Sequence, residues 1–157
     1  MRIGLGYDIH QTDEKRDLIL GGVKIPSDFG LLGHSDADVL VHAIIDAILG
    51  SVALRDIGYH FPDTDEKYKG INSLELLKLT LELLKKEGYK IINIDSNIIC
   101  QKPKLKDYID LMRENISKVG NLKLNQVSIK AKTNEKMDSM GKSEAISANA
   151  VVLVEEI

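Results

Sequence analysis

The sequence predicts an α+β domain, one sheet with helices packed on one face, and three observations support this. Strand-like patterns occur at residues 2–10, 89–100, 127–132 and 145–156. Helical periodicity marks three segments, at 33–50, 72–86 and 103–119. Their order runs strands, helix, loop, helix, strand, helix, strand, strand, which suits a sheet with its helices gathered on one side. A chain of 157 residues can bury a proper core, so residues 1–157 are expected to form one domain that needs neither disulfide nor metal merely to fold.

The first strand, RIGLGYDIH at 2–10, sends Asp8 and His10 to the same face because strand side chains alternate. At 17–25, two short apolar runs flank Gly21-Gly22, a pair suited to the positive φ angles of a β-hairpin turn. A loop over 26–33 leads to His34 and Ser35. Ser35, three places before Asp38, resembles a capping box, which puts His34 and Ser35 at an anion-favouring helix N-terminus.

In the helix that follows, Leu40, Ala43, Ile44, Ala47 and Ile48 form a core stripe, and Val39, Val41, Ile45 and Leu49 make the other faces apolar. It is expected to be buried almost all round. Asp38, His42 and Asp46 interrupt it at intervals of four, which stacks them along one ridge. Buried carboxylates and imidazoles are costly unless paired or bound to a metal, so the ridge needs partners from elsewhere. Asp8, His10 and His42 together make two imidazoles and a carboxylate with a fourth position open, the ligand set of a catalytic zinc. The same three residues also suit a metal-free Asp–His cluster in a core, and residue types alone leave both readings standing.

Residues 54–70, LRDIGYHFPDTDEKYKG, read as a long loop of the kind that serves as a lid or binding loop, with ordinary turn chemistry at Asp63-Thr64-Asp65. Asn72 caps the next helix, which a Leu74, Leu77, Leu81, Leu84 stripe carries to Gly88. After the strand at 89–100, Pro103 is expected to open a helix that ends at Gly120. Lys102, Lys104 and Lys106 there suit either a phosphate or a solvated helix start. Thr133-Asn134-Glu135 marks the exit of the strand at 127–132, and 136–144 reads as a polar connector. The predicted layering is ferredoxin-like, plus the short β-hairpin.

Charged residues make up 29 % of the chain yet sum to −3, which argues against a nucleic-acid binder and leaves no basic stretch to coat a membrane. The expected partner is a small molecule. Cys100 is the single cysteine, which excludes an internal disulfide and suits a reducing compartment. No segment reaches the length of a membrane span and Met1 runs directly into a strand, so a cytoplasmic location is expected.

Several fragments together resemble a known family: G-x-D-x-H at 6–10, GGVKIP at 21–26, HSDADVLVHAIIDAILG at 34–50, DIG at 56–58, FPDTD at 61–65 and K-A-x-T-x-E-K at 130–136. In this order, and from end to end, they are similar to the 2-C-methyl-D-erythritol 2,4-cyclodiphosphate synthases. The resemblance implies an enzyme that converts 4-diphosphocytidyl-2-C-methyl-D-erythritol 2-phosphate into the cyclic diphosphate and CMP, a phosphorus–oxygen lyase of the non-mevalonate isoprenoid pathway. It implies a homotrimer with active sites between subunits, zinc on Asp8, His10 and His42, and magnesium or manganese on Glu135 with the substrate diphosphate. His34 and Thr133 match the positions that stabilise the transition state. Substrate contacts are implied at Asp8, Ile9, His10, His34 and Ser35. Asp56, Ile57, Gly58, Phe61, Pro62, Asp63, Thr64 and Asp65 correspond to the methylerythritol phosphate end. Cys100, Gln101, Lys102, Pro103, Lys104, Leu105 and Lys106, with Lys132, Thr133, Asn134 and Glu135, correspond to the cytidine diphosphate end.

Asp46, one turn after His42, is expected either to orient that imidazole through its other nitrogen or to act as a cap or intersubunit contact. Two departures from the family stand out. Ser139 and Lys142 replace an aromatic and an arginine associated with a prenyl diphosphate cavity on the trimer axis, so that side site is not carried over, while Lys142 stays among the substrate-binding residues as a charge without the bidentate fork. Lys132 and Asn134 replace threonines. The competing functions are a zinc-dependent phosphohydrolase using the same ligands and a non-catalytic, metal-stabilised nucleotide-binding trimer.

Overall fold

The computed structural model describes residues 1–157. Strand β1 (Arg2–Asp13) is followed by the hairpin β2 (Leu18–Leu20) and β3 (Val23–Ile25), then by the short β4 (Gly30–Leu31). Helix α1 (Val39–Ser51), the short α2 (Ile57–His60) and α3 (Ser73–Lys86) lead to β5 (Tyr89–Ile99). Helix α4 (Ile109–Gly120), β6 (Val127–Lys132), the short α5 (Asp138–Gly141) and β7 (Ala145–Glu156) complete the chain. Five strands form one mixed sheet in the order β4-β1-β7-β5-β6, and the hairpin β2–β3 forms a separate two-stranded sheet. Only β5 and β6 run parallel. The predicted α+β class and the hairpin are both observed.

The register gathers the chemistry at one end of the large sheet. His10 pairs with Ile146, the adjacent Ser147 pairs with Ile99, and Ile99 pairs with Lys132. Along β1 the alternation separates two faces. Gly4, Gly6, Asp8 and His10 look toward α1, while Ile3, Leu5, Tyr7 and Ile9 are exposed on the other side.

The two glycines are required by the packing. A Cβ on Gly6 would lie 1.8 Å from the Ala43 carbonyl oxygen, and one on Gly4 would lie 1.7 Å from that of Ala47. Only hydrogen fits, so the backbone of α1 rests directly on β1. All of α1 except Asp46 and Gly50 is buried, between the sheet and α3. Fully buried residues such as Ile44, Ile48 and Leu49 each contribute about 1.5–3 kcal/mol relative to exposure.

Four local expectations are corrected. Helix α1 starts at Val39, not near Ser35, because Asp38 is the cap: its Oδ1 accepts the Val41 amide at 3.1 Å. Ala37, at φ 57°, breaks any helix before it. Residues 54–70 are not an open loop, since Asp56 caps α2 and Asp65 caps a 3₁₀ turn at Glu66–Tyr68. Pro103 does not open a helix; buried Leu105 pins the 101–105 turn to the core, and a 3₁₀ turn at Lys106–Tyr108 precedes α4. The polar connector 136–144 contains α5.

Asp38 also docks the hairpin, its carboxylate accepting the amides of Gly21 at 3.0 Å and Gly22 at 2.8 Å. Asp38→Ala removes the cap, about 1 kcal/mol, and strands these amides, so chemical denaturation is expected to show a loss of about 2–4 kcal/mol. A loss below about 0.5 kcal/mol would mean that water replaces the carboxylate at no cost. Gly6→Ala is expected to lower stability by about 1–3 kcal/mol through overpacking. An unchanged unfolding midpoint would count against the close β1–α1 approach.

Candidate metal centre and nucleotide pocket

β1 presents Asp8 and His10 toward the first turn of α1, where His42 is buried. Asp8 Oδ2 lies 2.9 Å from His10 Nε2 and 3.1 Å from His42 Nδ1, and the two imidazole nitrogens are 3.2 Å apart. Tetrahedral zinc with bonds of about 2.0–2.2 Å has neighbouring donor atoms about 3.3–3.6 Å apart, so these three atoms fit such an ion after a small opening. No other group of three His, Cys, Asp or Glu residues in the chain converges in this way.

The surroundings set the charge and orientation of the donors. Burial alone would raise the Asp8 carboxyl, but the adjacent imidazoles of His10 and His42 outweigh it and hold the group well below the usual carboxylate range. Asp8 therefore offers an anionic oxygen donor at neutral pH. Burial opposes a proton on His10, yet Asp8 and the Leu32 carbonyl raise its pKa. His10 Nδ1 donates to that carbonyl at 2.8 Å, which leaves Nε2 facing the cluster. His42 Nε2 lies 2.9 Å from Ser73 Oγ and 3.1 Å from Ser35 Oγ.

These contacts favour the capping alternative for Asp46 over orientation of His42. Its Oδ1 accepts the Ile57 amide at 2.7 Å, so it ties α1 to α2, and the second nitrogen of His42 is occupied by hydroxyls instead. The ridge residues Asp38, His42 and Asp46 thus find three different partners.

A cavity of about 340 Å³ opens beside the cluster, lined by Asp8, His10, His34, Ser35, His42, Ile57, Gly58, Phe61 and Asp63. Leu32, Gly33, Tyr68 and Leu76 complete its wall and were not singled out from sequence. Asp56 serves as the α2 cap, accepting the Tyr59 amide at 3.0 Å, while Pro62, Thr64 and Asp65 flank the wall without lining it. The Ile9 side chain points to the opposite face of the sheet from Asp8 and His10.

His34 is braced from both sides. Its Nε2 donates to the Asp65 carbonyl at 3.0 Å, and its own carbonyl accepts the Gly70 amide at 2.8 Å. Arg16 forks across the carbonyls on either side of it, Gly33 at 3.1 Å and Ser35 at 2.8 Å. Sequence reasoning missed Arg16, for which a lone basic residue before a hairpin gives no signal. It also read Asn72-Ser73 only as a helix start, although a serine there offers a hydroxyl as well as a turn.

The second cavity, about 490 Å³, is built from Cys100, Gln101, Pro103, Lys104, Leu105, Lys106, Lys132 and Thr133, with Ile109, Asp110 and Ala131 added. It lies at the same end of the sheet as the first but shares no lining residue with it. Lys102 does not line it; its ammonium sits 6.0 Å from the centre of the Phe29 ring. The Cys100 thiol donates to the Lys102 carbonyl at 3.1 Å, and burial pushes its pKa up to about 12. It is a neutral wall atom rather than a nucleophile.

Thr133 Oγ1 accepts the Glu135 amide at 3.3 Å, and Glu135 is exposed at φ 51° beyond the cavity. Asn134 turns toward α5, donating to Asp138 at 2.8 Å, and Lys142 is exposed at the end of that turn. His34 and Thr133 line separate cavities, so one chain does not bring them together in a single pocket.

The profile described as the YgbB family matches residues 1–155. The chain is 58% identical over 154 residues to the 2-C-methyl-D-erythritol 2,4-cyclodiphosphate synthase of Clostridium perfringens (strain 13), covering 98% of this chain and 99% of that protein. It superposes on the bifunctional IspDF of Campylobacter jejuni with a TM-score of 0.95 at 41% identity, spanning 99% of this chain but 42% of that longer one. On the Plasmodium falciparum IspF–CDP complex the TM-score is 0.86 at 40% identity, over 99% of this chain and 96% of that one. Sequence and fold agree along nearly the whole length, and the chain belongs to the YgbB family, that of the 2-C-methyl-D-erythritol 2,4-cyclodiphosphate synthases.

Proposed function

We propose that the protein cyclises 4-diphosphocytidyl-2-C-methyl-D-erythritol 2-phosphate to 2-C-methyl-D-erythritol 2,4-cyclodiphosphate with release of CMP, the non-mevalonate step its relatives are named for. The observation that carries this is the convergence of Asp8, His10 and His42 beside one cavity, with a nucleotide-sized cavity at the same end of the sheet. The relative described in complex with CDP supports a cytidine nucleotide as the ligand of the second cavity.

The chemistry asks little covalent work of the chain. The attacking group is the substrate's own 2-phosphate, whose second pKa is about 6, so it is largely dianionic at neutral pH and needs no general base. CMP is a good leaving group. The remaining tasks are to fold the substrate for in-line attack and to neutralise charge on the phosphoryl group. Asp8, His10 and His42 would hold zinc and Glu135 a magnesium or manganese ion, and these would supply Lewis-acid neutralisation of phosphate charge.

The rest falls to side chains. His34, held from both flanks, and the Thr133 hydroxyl are polar groups for the phosphoryl group in transit. Ile57 and Phe61 offer apolar wall to the methylerythritol end, while Lys104, Lys106 and Lys132 give the nucleotide end its positive charge. The 54–70 segment and a neighbouring subunit exclude water, which favours cyclisation over hydrolysis.

A homotrimer accounts for two features. Ile3, Leu5, Tyr7 and Ile9 form an exposed apolar row on the sheet, with Val151 opposite Leu5, and such patches mark protein contacts. His34 and Thr133, separate within one chain, would meet across a subunit boundary. No helix is long and apolar enough to cross a membrane, and the buried thiol suits a reducing cytoplasm.

Incubation with the cytidylated substrate is expected to give the cyclic diphosphate and CMP, and a chelator to abolish turnover until zinc and magnesium are restored. A linear phosphate carrying oxygen from labelled water would assign a hydrolase instead, and CDP binding without turnover would leave a nucleotide-binding trimer. Leu5→Glu is expected to convert the assembly to monomers in light scattering and to remove activity. A folded variant that remains trimeric would place the interface elsewhere.

A further inference from the structure

The strongest unassigned feature lies behind the candidate metal cluster. Ser73, the first residue of α3, is fully buried, and its hydroxyl donates to Asp36 Oδ1 at 2.5 Å. Asp36 also accepts the Ser73 amide at 3.0 Å and the Asp38 amide at 3.2 Å, so its carboxylate is surrounded by donors. The same Ser73 oxygen lies 2.9 Å from His42 Nε2.

The direction of this chain of hydrogen bonds follows from proton counting. A carboxylate only accepts, and a serine hydroxyl has one proton to give. With that proton committed to Asp36, Ser73 offers His42 only a lone pair, and the 2.9 Å contact requires Nε2 to carry the hydrogen. Ser35 Oγ, 3.1 Å from the same nitrogen, already accepts the Ala37 amide at 3.2 Å and can share that hydrogen. In the neutral ring Nδ1 is then bare, and Nδ1 is the nitrogen that faces Asp8 and His10.

We infer that Asp36 and Ser73 are positioning residues that fix His42 in its Nε2–H tautomer and so present Nδ1 as a metal ligand. The inference rests on the metal-site reading given above. Its physical content is a competition. Asp8 Oδ2, 3.1 Å from Nδ1, draws the imidazole hydrogen toward the cluster, where it would block the ligand lone pair. Ser73 and Asp36 draw it away to the opposite side. His10 has the matching arrangement, with Nδ1 spent on the Leu32 carbonyl. Each imidazole thus has its outward nitrogen engaged by a protein oxygen, an arrangement that typically changes metal affinity about 10–100-fold when removed.

The test reads the tautomer and the affinity separately. Two-bond ¹H–¹⁵N spectra of the metal-free protein, labelled at its four histidines and recorded at pH 8, report which nitrogen of His42 is protonated, with its signals assigned by their loss in His42→Asn. The parent is expected to show Nε2–H. Ser73→Ala is expected to move the proton toward Nδ1 and to raise the zinc dissociation constant about 10–100-fold in competition with a chromophoric chelator. Ser73→Thr, which keeps the hydroxyl, is expected to restore both. An Nδ1–H tautomer in the parent, or a Ser73→Ala variant with unchanged tautomer and zinc affinity, would overturn the inference. Should Ser73→Ala fail to fold, the parent tautomer alone decides. A parent that binds no zinc refutes the metal-site reading, while its spectrum still judges the hydrogen-bond chain.

Discussion

The structure depends on how closely one helix is allowed to approach one strand. Gly4 and Gly6 leave room for the carbonyls of Ala43 and Ala47 where any Cβ would collide with them. The carbonyl of Ala43 belongs to the residue after His42, and Gly6 is two residues before Asp8. The contact that seats the helix is therefore the contact that sets the spacing of the three candidate ligands. A shift of one methyl group between β1 and α1 would separate Asp8 and His10 from His42 by more than metal bonds tolerate.

Placing the site on the most buried helix gives it rigidity and brings the cost of burying polar groups. The ridge on α1 meets that cost locally and differently at each residue. Asp38 takes the amides of a hairpin turn, His42 lies between two hydroxyls and the Asp8 carboxylate, and Asp46 takes the first amide of α2. Each polar residue consequently fastens a separate piece of the chain to α1, so the helix organises the hairpin, the candidate metal cluster and the wall of the adjoining cavity. An unpaired carboxylate at any of these positions would cost several kcal/mol, which makes docking of the peripheral segments part of folding the core.

Much of this was legible in the sequence because it rests on periodicity and side-chain alternation. Asp8 and His10 had to share a face, and His42 had to be buried; both hold. What escaped depends on contacts distant in sequence. Asp38 caps α1 through the Val41 amide, and its second task, docking Gly21 and Gly22, is a tertiary contact that no local pattern encodes. The partner of Asp46 and the clamp formed by Arg16 escaped for the same reason: carboxylates and guanidiniums find backbone groups, which look alike at every position of a sequence. The match of fragments to a family named residues for the nucleotide pocket, but Lys102 turns to Phe29 and Asn134 to α5, because one-dimensional motifs do not give side-chain direction.

The wall formed by residues 54–70 bears on how hydrolysis is avoided. A free lid would have to close on each substrate, and water would enter whenever it opened. Here the segment is fastened at three points: Asp46 to the Ile57 amide, His34 to the Asp65 carbonyl, and the His34 carbonyl to the Gly70 amide. At about 0.5–1.5 kcal/mol for a typical hydrogen bond, and more where a carboxylate accepts, these three together contribute about 3 kcal/mol against opening, to which the packing of Phe61 in the core adds. Two of the three fastenings are made by His34, the residue assigned, under the proposed function, to the phosphoryl group. Releasing the wall thus also releases that imidazole, so the conformation that admits water is also one in which the site is incomplete.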